Sequence, residues 1–174
     1  MTNRKVILYI ATSVDGFIAR ENGDIDWLSN VQEGSEDYGY EQFYDRVDTV
    51  VMGRKTYEQV LTFGDFPYKG KECYVFSSSK RNKNQDVQFV CENAADFING
   101  VKKKEGKDIW LVGGAKLIES FMIYDLIDEY IISVTPIILG KGIALFSGKV
   151  SSHLELVDSK KYTSGLVQIH YKAK

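Results

Sequence analysis

Short apolar runs alternate with segments of helical periodicity along most of the chain, and this alternation limits the possible folds more than any other feature. The apolar runs are KVILYIA, TVVMG, ECYVFS, VQFV, DIWLVGG and EYIISVTPI. Between them, apolar residues recur at helical spacings in sets that start at Tyr40, Ala94 and Leu117. The pattern predicts an α/β fold with three layers, in which helices cover both faces of a mixed, mostly parallel central sheet.

The pattern changes after residue 150, where apolar and polar residues alternate. Leu154 and Leu156 begin one alternating segment, and Val167 begins a second one after the turn sequence YTSGL. Two such segments joined by a turn are typical of an antiparallel hairpin, which we expect to close the sheet. The chain has 174 residues, 44% of them hydrophobic, and it shows no repeat or Pro-rich linker. We therefore expect residues 1–174 to form one domain.

Charge and residue usage argue against several classes of function. The formal net charge is -2, and Lys and Arg are scattered among the acids, so we expect no nucleic-acid partner. No apolar stretch approaches the roughly 20 residues that span a bilayer, so we expect no membrane segment. The use of only two cysteines fits a reducing compartment, the cytoplasm. His153 and His170 lie far along the chain from other candidate ligands, so we expect no metal site.

Polar and glycine-rich segments follow three of the predicted strands. GRKTYE follows TVVM, SSSKR follows ECYVF, and GGAKLIE follows DIWLV. In an α/β sheet, ligands bind outside the carboxyl ends of the strands, where helix N-termini present free N–H groups. Glycines let a phosphate approach the backbone, hydroxyls donate hydrogen bonds, and Lys and Arg supply positive charge. Each segment alone is also compatible with a helix cap, a polar loop or a tight turn.

Together, three strand ends with the same chemistry predict one ligand whose phosphates are spread along the sheet edge. A dinucleotide with an additional 2′-phosphate has that distribution of charge. The glycine spacing differs from the G-x-G-x-x-G pattern of the Rossmann fold, and no acidic residue stands about 20 positions further on to bind a ribose. The sequence therefore predicts a dinucleotide site that is not of the Rossmann type.

Four segments of the chain, taken in order, resemble the motifs of a known family. They are ATSVDGFIA, DTVVMGRKTYE, WLVGGAKLIESF and DEYIISVTPIILGKGIALF, and they extend over nearly the whole chain. The family has the dihydrofolate-reductase-like fold and includes the C-terminal reductase domain of bacterial riboflavin-biosynthesis proteins and its small stand-alone relatives. The resemblance implies that the chain uses NADPH to reduce a small molecule. It also implies a C2 homodimer, with residues 135–148 near the substrate pocket and the dimer contact.

The resemblance assigns cofactor contacts to particular positions, among which Ala11 and Ile18 lie near the nicotinamide. A peptide bond in the cis form is implied between the two glycines of WLVGGAKLIESF, and the missing Cβ atoms make it sterically tolerable. The remaining contacts concern the phosphates and the nicotinamide. The resemblance implies that the phosphates contact Gly53, Arg54, Lys55 and Thr56. It implies that the pyrophosphate and nicotinamide contact Gly113, Gly114, Ala115, Lys116 and Leu117. It implies that the 2′-phosphate contacts Ser77, Ser78 and Lys80 or Arg81.

Hydride transfer needs a balancing proton, and Asp15 and Asp24 are the candidate catalytic residues. The resemblance implies an acid that contacts substrate at the position of Asp15. Asp24 stands three residues before Trp27, which is the spacing of the pocket acid and a tryptophan in bacterial dihydrofolate reductases. Asp26 in the same segment is a further candidate, and all three acids also fit ordinary turns.

Aromatic residues near these acids are candidates for the substrate surface. Trp27, Tyr40 and Phe43 could stack on a flat heterocycle. Core packing also explains Tyr40 and Phe43, because both belong to a helix face with apolar periodicity.

The motifs leave the substrate open. Riboflavin-pathway reductases of the family follow their Gly-Arg motif with an Asp-Asp-Pro stretch, where this chain has EQVLTFGDFPYKGKECY. The leading hypothesis is therefore an NADPH-dependent reductase of a small heterocyclic or carbonyl substrate. The alternatives are the riboflavin-pathway 5-amino-6-(5-phosphoribosylamino)uracil reductase and a non-catalytic nucleotide-binding protein with the same fold.

Overall fold

The apolar runs form the strands of an eight-stranded sheet in a computed structural model, which describes residues 4–32, 36–79, 85–148 and 150–174. The order across this sheet is β5-β4-β3-β6-β1-β7-β10-β9, and β2 and β8 form a separate two-stranded sheet. The strands are β1 Val6–Thr12, β2 Phe17–Ala19, β3 Val47–Gly53, β4 Glu72–Phe76, β5 Gln88–Val90, β6 Asp108–Gly113, β7 Glu129–Val134, β8 Ile143–Ala144, β9 Leu154–Lys161 and β10 Val167–Ala173.

The three helices that the apolar periodicity predicts, from Tyr40, Ala94 and Leu117, all form. Two further helices and two short 3-10 turns, Asp26–Leu28 and Leu61–Phe63, accompany them in the described ranges. The helices are α1 Ser29–Gln32, α2 Tyr40–Arg46, α3 Arg54–Val60, α4 Ala94–Lys102 and α5 Ala115–Ile123. None of the helices in the described ranges is long and apolar enough to cross a bilayer.

The strand directions confirm the predicted mixed sheet. The strands from β5 to β7 in the sheet order run parallel to their neighbours, while β10 is antiparallel to β7 and to β9. The last two strands are the predicted C-terminal hairpin. Because the parallel strands all end at the same edge, the loops that follow them meet there.

Each face of the sheet carries its own apolar core, which confirms the three predicted layers. Helices α4 and α5 cover one face, where Ile98, Ile118 and Phe121 are fully buried. Helices α2 and α3 cover the other, where Phe43 and Tyr57 pack on the sheet. The alternation of side chains along the central strands supplies both cores at once.

The small sheet of β2 and β8 is a feature that the sequence did not predict. Residues 135–148 read as a glycine-rich connection, whereas the structure pairs Phe17 of β2 with Ala144 of β8. The backbone N–H of Leu145 also donates to the carbonyl of Gly16 at 2.9 Å. The connection is therefore attached to the loop that follows β1.

A cluster of charged side chains lies at the edge of the main sheet where the parallel strands begin, opposite the edge at which they end. Glu129 at the start of β7 is 5% exposed and accepts hydrogen bonds from Arg46 at 2.8 and 2.9 Å and from Lys5 at 2.7 Å. His170 Nε2 lies 2.9 Å from the same carboxylate. Burial alone would raise the pKa of Glu129, but the hydrogen bonds from Arg46 and Lys5 outweigh it and lower the pKa to about 2.

We expect Glu129→Gln to lower the free energy of unfolding at pH 7 by about 2–3 kcal/mol, because Arg46 and Lys5 lose a buried anionic partner. The folded-state pKa is lowered below the ordinary value of 4.5, so the carboxylate stabilises the fold above that pH. The difference between the two proteins should therefore shrink as the pH falls from 4.5 towards 2.

Chemical denaturation across this pH range measures the effect. Glu21→Gln is the matched control, because Glu21 pairs with Lys141 on the surface and both side chains are more than half exposed. That change should cost less than about 1 kcal/mol. An equal loss of stability in both variants would contradict a stabilising role for the buried Glu129 carboxylate.

Candidate functional site at the carboxyl edge of the sheet

The structure brings the three predicted strand ends together. Strand β3 lies between β4 and β6, with Gly53 opposite Phe76 of β4 and Met52 opposite Gly113 of β6. The segments that begin at Gly53, Ser77 and Gly113 therefore leave the sheet side by side. One extended ligand along this edge could contact all three.

The two glycines after β6 serve different steric needs. Gly113 has a φ of +133°, a conformation that side chains rarely adopt. Gly114 leaves room for a neighbour, because a Cβ there would lie 3.2 Å from Thr56 Oγ1. A Cβ on Gly53 would in turn meet the backbone N of Gly114 at 3.6 Å. The peptide bond between the two glycines is cis, which confirms that implication of the resemblance.

Helix α5 presents its N-terminus at this edge. Gly114 is the N-cap and provides no side-chain cap, and its carbonyl accepts from the N–H groups of Leu117 and Ile118. The first N–H groups of a helix have no acceptor within the helix, so those of Ala115 and Lys116 can donate to a ligand. Together with the helix dipole, they favour an anionic group such as a pyrophosphate.

The basic residues of the site are at the surface. Arg54 Nε lies 2.7 Å from Glu58 Oε1, one turn further along α3, and both side chains are at least two-fifths exposed. An exposed pair of this kind contributes less than about 1 kcal/mol, so a phosphate could replace Glu58 as the partner of Arg54. The exposed Lys55 and Lys116 are further cations, near the starts of α3 and α5.

The serines after β4 begin an irregular segment. The N–H of Ser77 donates to the carbonyl of Val90 at 2.9 Å, and this hydrogen bond ends the pairing with β5. Ser77 Oγ lies 3.4 Å from Ser79 Oγ, while Ser78 is exposed. The predicted contacts at residues 80 and 81, Lys80 and Arg81, lie outside the described residues.

The predicted nicotinamide contacts lie on β1 and β2. Ala11 is half-buried near the carboxyl end of β1, which is next to β6. One residue earlier, Ile10 Cδ1 is 3.8 Å from where a Gly113 Cβ would stand, so the β1 end and the glycine pair are neighbours. Ile18 of β2 is half-buried and packs against the core beneath α4 and α5.

Two polar side chains beside Ala11, Ser133 and Gln168, form a polar row that the sequence did not predict. Ala11 is opposite Ser133 of β7, and Ser133 is opposite Gln168 of β10, so the three side chains share one face of the sheet. Gln168 Nε2 donates to Ser133 Oγ at 3.1 Å and to the carbonyl of Tyr38 at 3.2 Å. A buried serine in the otherwise apolar part of EYIISV is the signal that could have identified the row.

Asp15 lies in the loop between β1 and β2 and binds the segment after β7. Its carboxylate accepts from the N–H groups of Leu139 at 3.1 Å and Gly140 at 2.7 Å. A hydrogen bond from the Ser13 side chain and these backbone donors lower the pKa of Asp15, although desolvation opposes them. These contacts show that the Asp15 carboxylate joins two loops. Its roles as a catalytic residue and as a substrate contact stay predictions.

The other two acids shape the turn before Trp27. Asp24 is exposed, and its Oδ1 accepts from the N–H of Asp26 at 3.0 Å. The Asp26 carboxylate pairs with Arg20 at 2.6 Å, and this hydrogen bond lowers the pKa of Asp26. These contacts are the turn chemistry that the sequence also allowed, and proton transfer by Asp24 stays a prediction.

The candidate aromatic residues are mostly buried. Trp27 is 3% exposed, and its indole N–H lacks a hydrogen-bond partner among the described residues. Phe43 is 5% exposed and stacks on Tyr9 with ring centroids 4.2 Å apart, while Tyr40 is 37% exposed at the rim of the same cluster. The ring of Phe43 is therefore used in core packing. Stacking of Trp27 and Phe43 on a substrate stays a prediction.

Comparison with known proteins places this geometry in a family. Residues 4–168 match the model of the RibD C-terminal domain. The uncharacterized protein YwjB of Bacillus subtilis is 46% identical over 171 residues, which cover 97% of each chain.

Two solved structures resemble the fold. A protein from Shewanella sp. PV-4, whose name assigns it to riboflavin biosynthesis, is 35% identical, with a TM-score of 0.88 over 98% of this chain and 99% of that one. The diaminohydroxyphosphoribosylaminopyrimidine deaminase/5-amino-6-(5-phosphoribosylamino)uracil reductase of Thermotoga maritima is 17% identical, with a TM-score of 0.74 over 99% of this chain and 57% of that one. The latter similarity shows the fold alone.

The close approach of Thr56 to Gly114 predicts an energetic coupling between them. Gly114→Ala should destabilise the protein, because its new methyl group would lie 3.2 Å from Thr56 Oγ1. In a Thr56→Ala background the same change should cost about 1 kcal/mol less. A double-mutant cycle of denaturation free energies measures this coupling.

The matched control is Gly100→Ala in α4, where a Cβ would meet nothing within 4 Å. Its effect should be the same with and without Thr56→Ala, since the two sites share no contact. Additive effects of the Gly114 and Thr56 changes would contradict the close approach.

Proposed function

The chain belongs to the RibD C-terminal domain family, and on that premise we propose that it is an NADPH-dependent reductase that transfers a hydride to a small heterocyclic or carbonyl substrate. Family membership supports a reductase-type function, and the two solved structures share the fold. The observation that carries the choice of cofactor is the meeting of three phosphate-type segments at one sheet edge. Two of them come into contact where Gly114 approaches Thr56.

The residues at the edge fit the phosphates of NADPH. Gly53 and Gly114 place no side chain beside the α5 N-terminus, whose first N–H groups are donors for a pyrophosphate. Thr56 supplies a hydroxyl and Arg54 a cation next to them. Ser77 and Ser78 would bind the 2′-phosphate that distinguishes NADPH from NADH.

The bound cofactor would supply a hydride from its nicotinamide, and the chain's residues would orient the two reactants. We propose that Ala11 and Ile18 contact the nicotinamide, as the resemblance implies. Asp15 would hold the loop after β1 against the segment after β7, through Leu139 and Gly140. In this role it would hold the two loops in position near the reactants.

The polar row next to Ala11 supports a small polar substrate. Ser133 Oγ and Gln168 offer both donors and acceptors on the same face as Ala11. A flat heterocycle or a carbonyl compound has the complementary groups. The chain lacks the Asp-Asp-Pro stretch of riboflavin-pathway reductases, so this substrate need not carry a ribosyl phosphate.

Titration with NADPH and with NADH tests the proposal directly. Quenching of the fluorescence of Trp27 and Trp110 reports binding, and we expect NADPH to bind more tightly because it alone carries the 2′-phosphate. Oxidation of bound NADPH in a screen of heterocyclic and carbonyl compounds then tests the reductase activity. A chain that binds neither nucleotide would contradict the proposal.

We expect Arg54→Ala to weaken NADPH binding by roughly 1–3 kcal/mol, because a charged hydrogen bond to phosphate is lost. Glu58→Gln is the matched control: it removes the ion-pair partner of Arg54 and should leave NADPH binding as tight or tighter. Unchanged affinity in Arg54→Ala would remove this residue from the site.

A further inference from the structure

Tyr9 carries a hydroxyl group on the face of the sheet that holds the polar row. It precedes Ala11 by two residues on β1, so both side chains project from the same face. Its hydroxyl oxygen lies 3.5 Å from Gln168 Nε2, and the same nitrogen atom lies 3.1 Å from Ser133 Oγ. The Tyr9 hydroxyl therefore lies beside the polar row, close to the proposed nicotinamide contact at Ala11.

Neighbouring aromatic residues hold the ring of Tyr9 in place. The ring stacks on Phe43 with centroids 4.2 Å apart, and it meets the ring of Trp110 edge-on with centroids 6.1 Å apart. The indole N–H of Trp110 also donates to the backbone carbonyl of Tyr9 at 3.1 Å. The half-buried ring is thus packed on two sides, while its hydroxyl extends to the polar row.

The hydroxyl of Tyr9 keeps its proton at neutral pH. Burial raises its pKa to about 12, and the potential anions Asp37, Tyr40 and Tyr162 act in the same direction. The hydrogen bond from Gln168 acts in the opposite direction, because an N–H donor stabilises a phenolate. Gln168 is therefore placed to stabilise the negative charge that develops when Tyr9 releases its proton.

A substrate can replace the group that accepts the Tyr9 proton in this structure. The hydroxyl donates to the backbone carbonyl of Tyr38 at 3.4 Å, which is long for an O–H···O hydrogen bond. That carbonyl also accepts from Gln168 Nε2 at 3.2 Å, so it keeps a partner when the hydroxyl turns away. A substrate oxygen or nitrogen at an ordinary hydrogen-bond distance would be the stronger acceptor.

We propose that Tyr9 is the proton donor of the reaction, an inference that rests on the proposed reductase function. The carbon of a substrate C=O or C=N bond receives the hydride, and the electron pair of that bond moves to the oxygen or nitrogen. The O–H bond of Tyr9 breaks as its proton forms the new O–H or N–H bond, which is favourable because alkoxides and amide anions are stronger bases than a phenolate. Solvent then returns a proton to Tyr9. The net change is reduction of the substrate by two electrons and oxidation of NADPH to NADP⁺.

Binding of two flat probes without cofactor tests the position of the donor. Quinoxaline has C=N nitrogens that accept a hydrogen bond, whereas naphthalene has the same shape and no acceptor. We expect Tyr9→Phe to weaken quinoxaline binding by about fivefold and to leave naphthalene binding unchanged, because only quinoxaline loses a hydrogen bond. Isothermal titration calorimetry measures both affinities. An equal change for the two probes, or failure of the wild type to bind quinoxaline, would overturn the proposal.

Turnover of the compounds that the wild type reduces with NADPH tests the chemical role. Tyr9→Phe should lower kcat at least about 100-fold and leave the affinity for NADPH unchanged. Its remaining rate should rise about tenfold for each unit by which the pH falls, since hydronium then supplies the proton. Tyr130→Phe is the matched control and should keep the wild-type kcat. Tyr130 is 3% exposed and burial raises its pKa to about 12 as well, but it lies on the opposite face of the sheet.

The outcomes separate this inference from the proposed function. Circular dichroism verifies that each variant is folded. A Tyr9→Phe protein with the wild-type kcat, or with a remaining rate that does not respond to pH, would overturn the inference alone and leave the proton to another group such as Asp15 or Asp24. A wild type that oxidises NADPH with no heterocyclic or carbonyl compound would contradict the reductase function itself, and this step with it.

Discussion

Two helices begin beside each other where β3 and β6 end, and the contact of Thr56 with Gly114 sets how closely they approach. A side chain on Gly114 would occupy the space of the Thr56 hydroxyl. The φ of +133° at Gly113 turns the chain from β6 into α5, and only glycine adopts it without strain. The α5 N-terminus, the Thr56 hydroxyl and the Arg54 cation thereby lie at one point of the sheet edge. The proposed cofactor site depends on that convergence.

A network of charged side chains lies at the edge of the sheet where the parallel strands begin, opposite the proposed cofactor site. Glu129 links β7 to Arg46 at the end of α2 and to Lys5 just before β1, so three elements are held where the parallel strands begin. Arg46 also contacts Asp108, the first residue of β6. These contacts hold α2, β1, β6 and β7 together at the edge of the sheet opposite the proposed cofactor site.

The sequence predicted the larger elements well, because each carries a long apolar pattern. The helix faces from Tyr40, Ala94 and Leu117 and the C-terminal hairpin are all confirmed. Strands β2 and β8 were missed, since two or three residues are too few to show a period. The hydrogen bond from Gly140 to Asp15 was also missed. The two residues are 125 positions apart, and the sequence around Asp15 is typical of an ordinary turn.

A crystal structure of the complex with NADPH would show directly where the cofactor binds. We expect the pyrophosphate within hydrogen-bond distance of Thr56 Oγ1 and of the first N–H groups of α5, with the 2′-phosphate at Ser77 and Ser78. Its nicotinamide should lie beside Ala11. A complex in which the cofactor binds elsewhere and leaves the ends of β3 and β6 free would show that this edge is not the NADPH site.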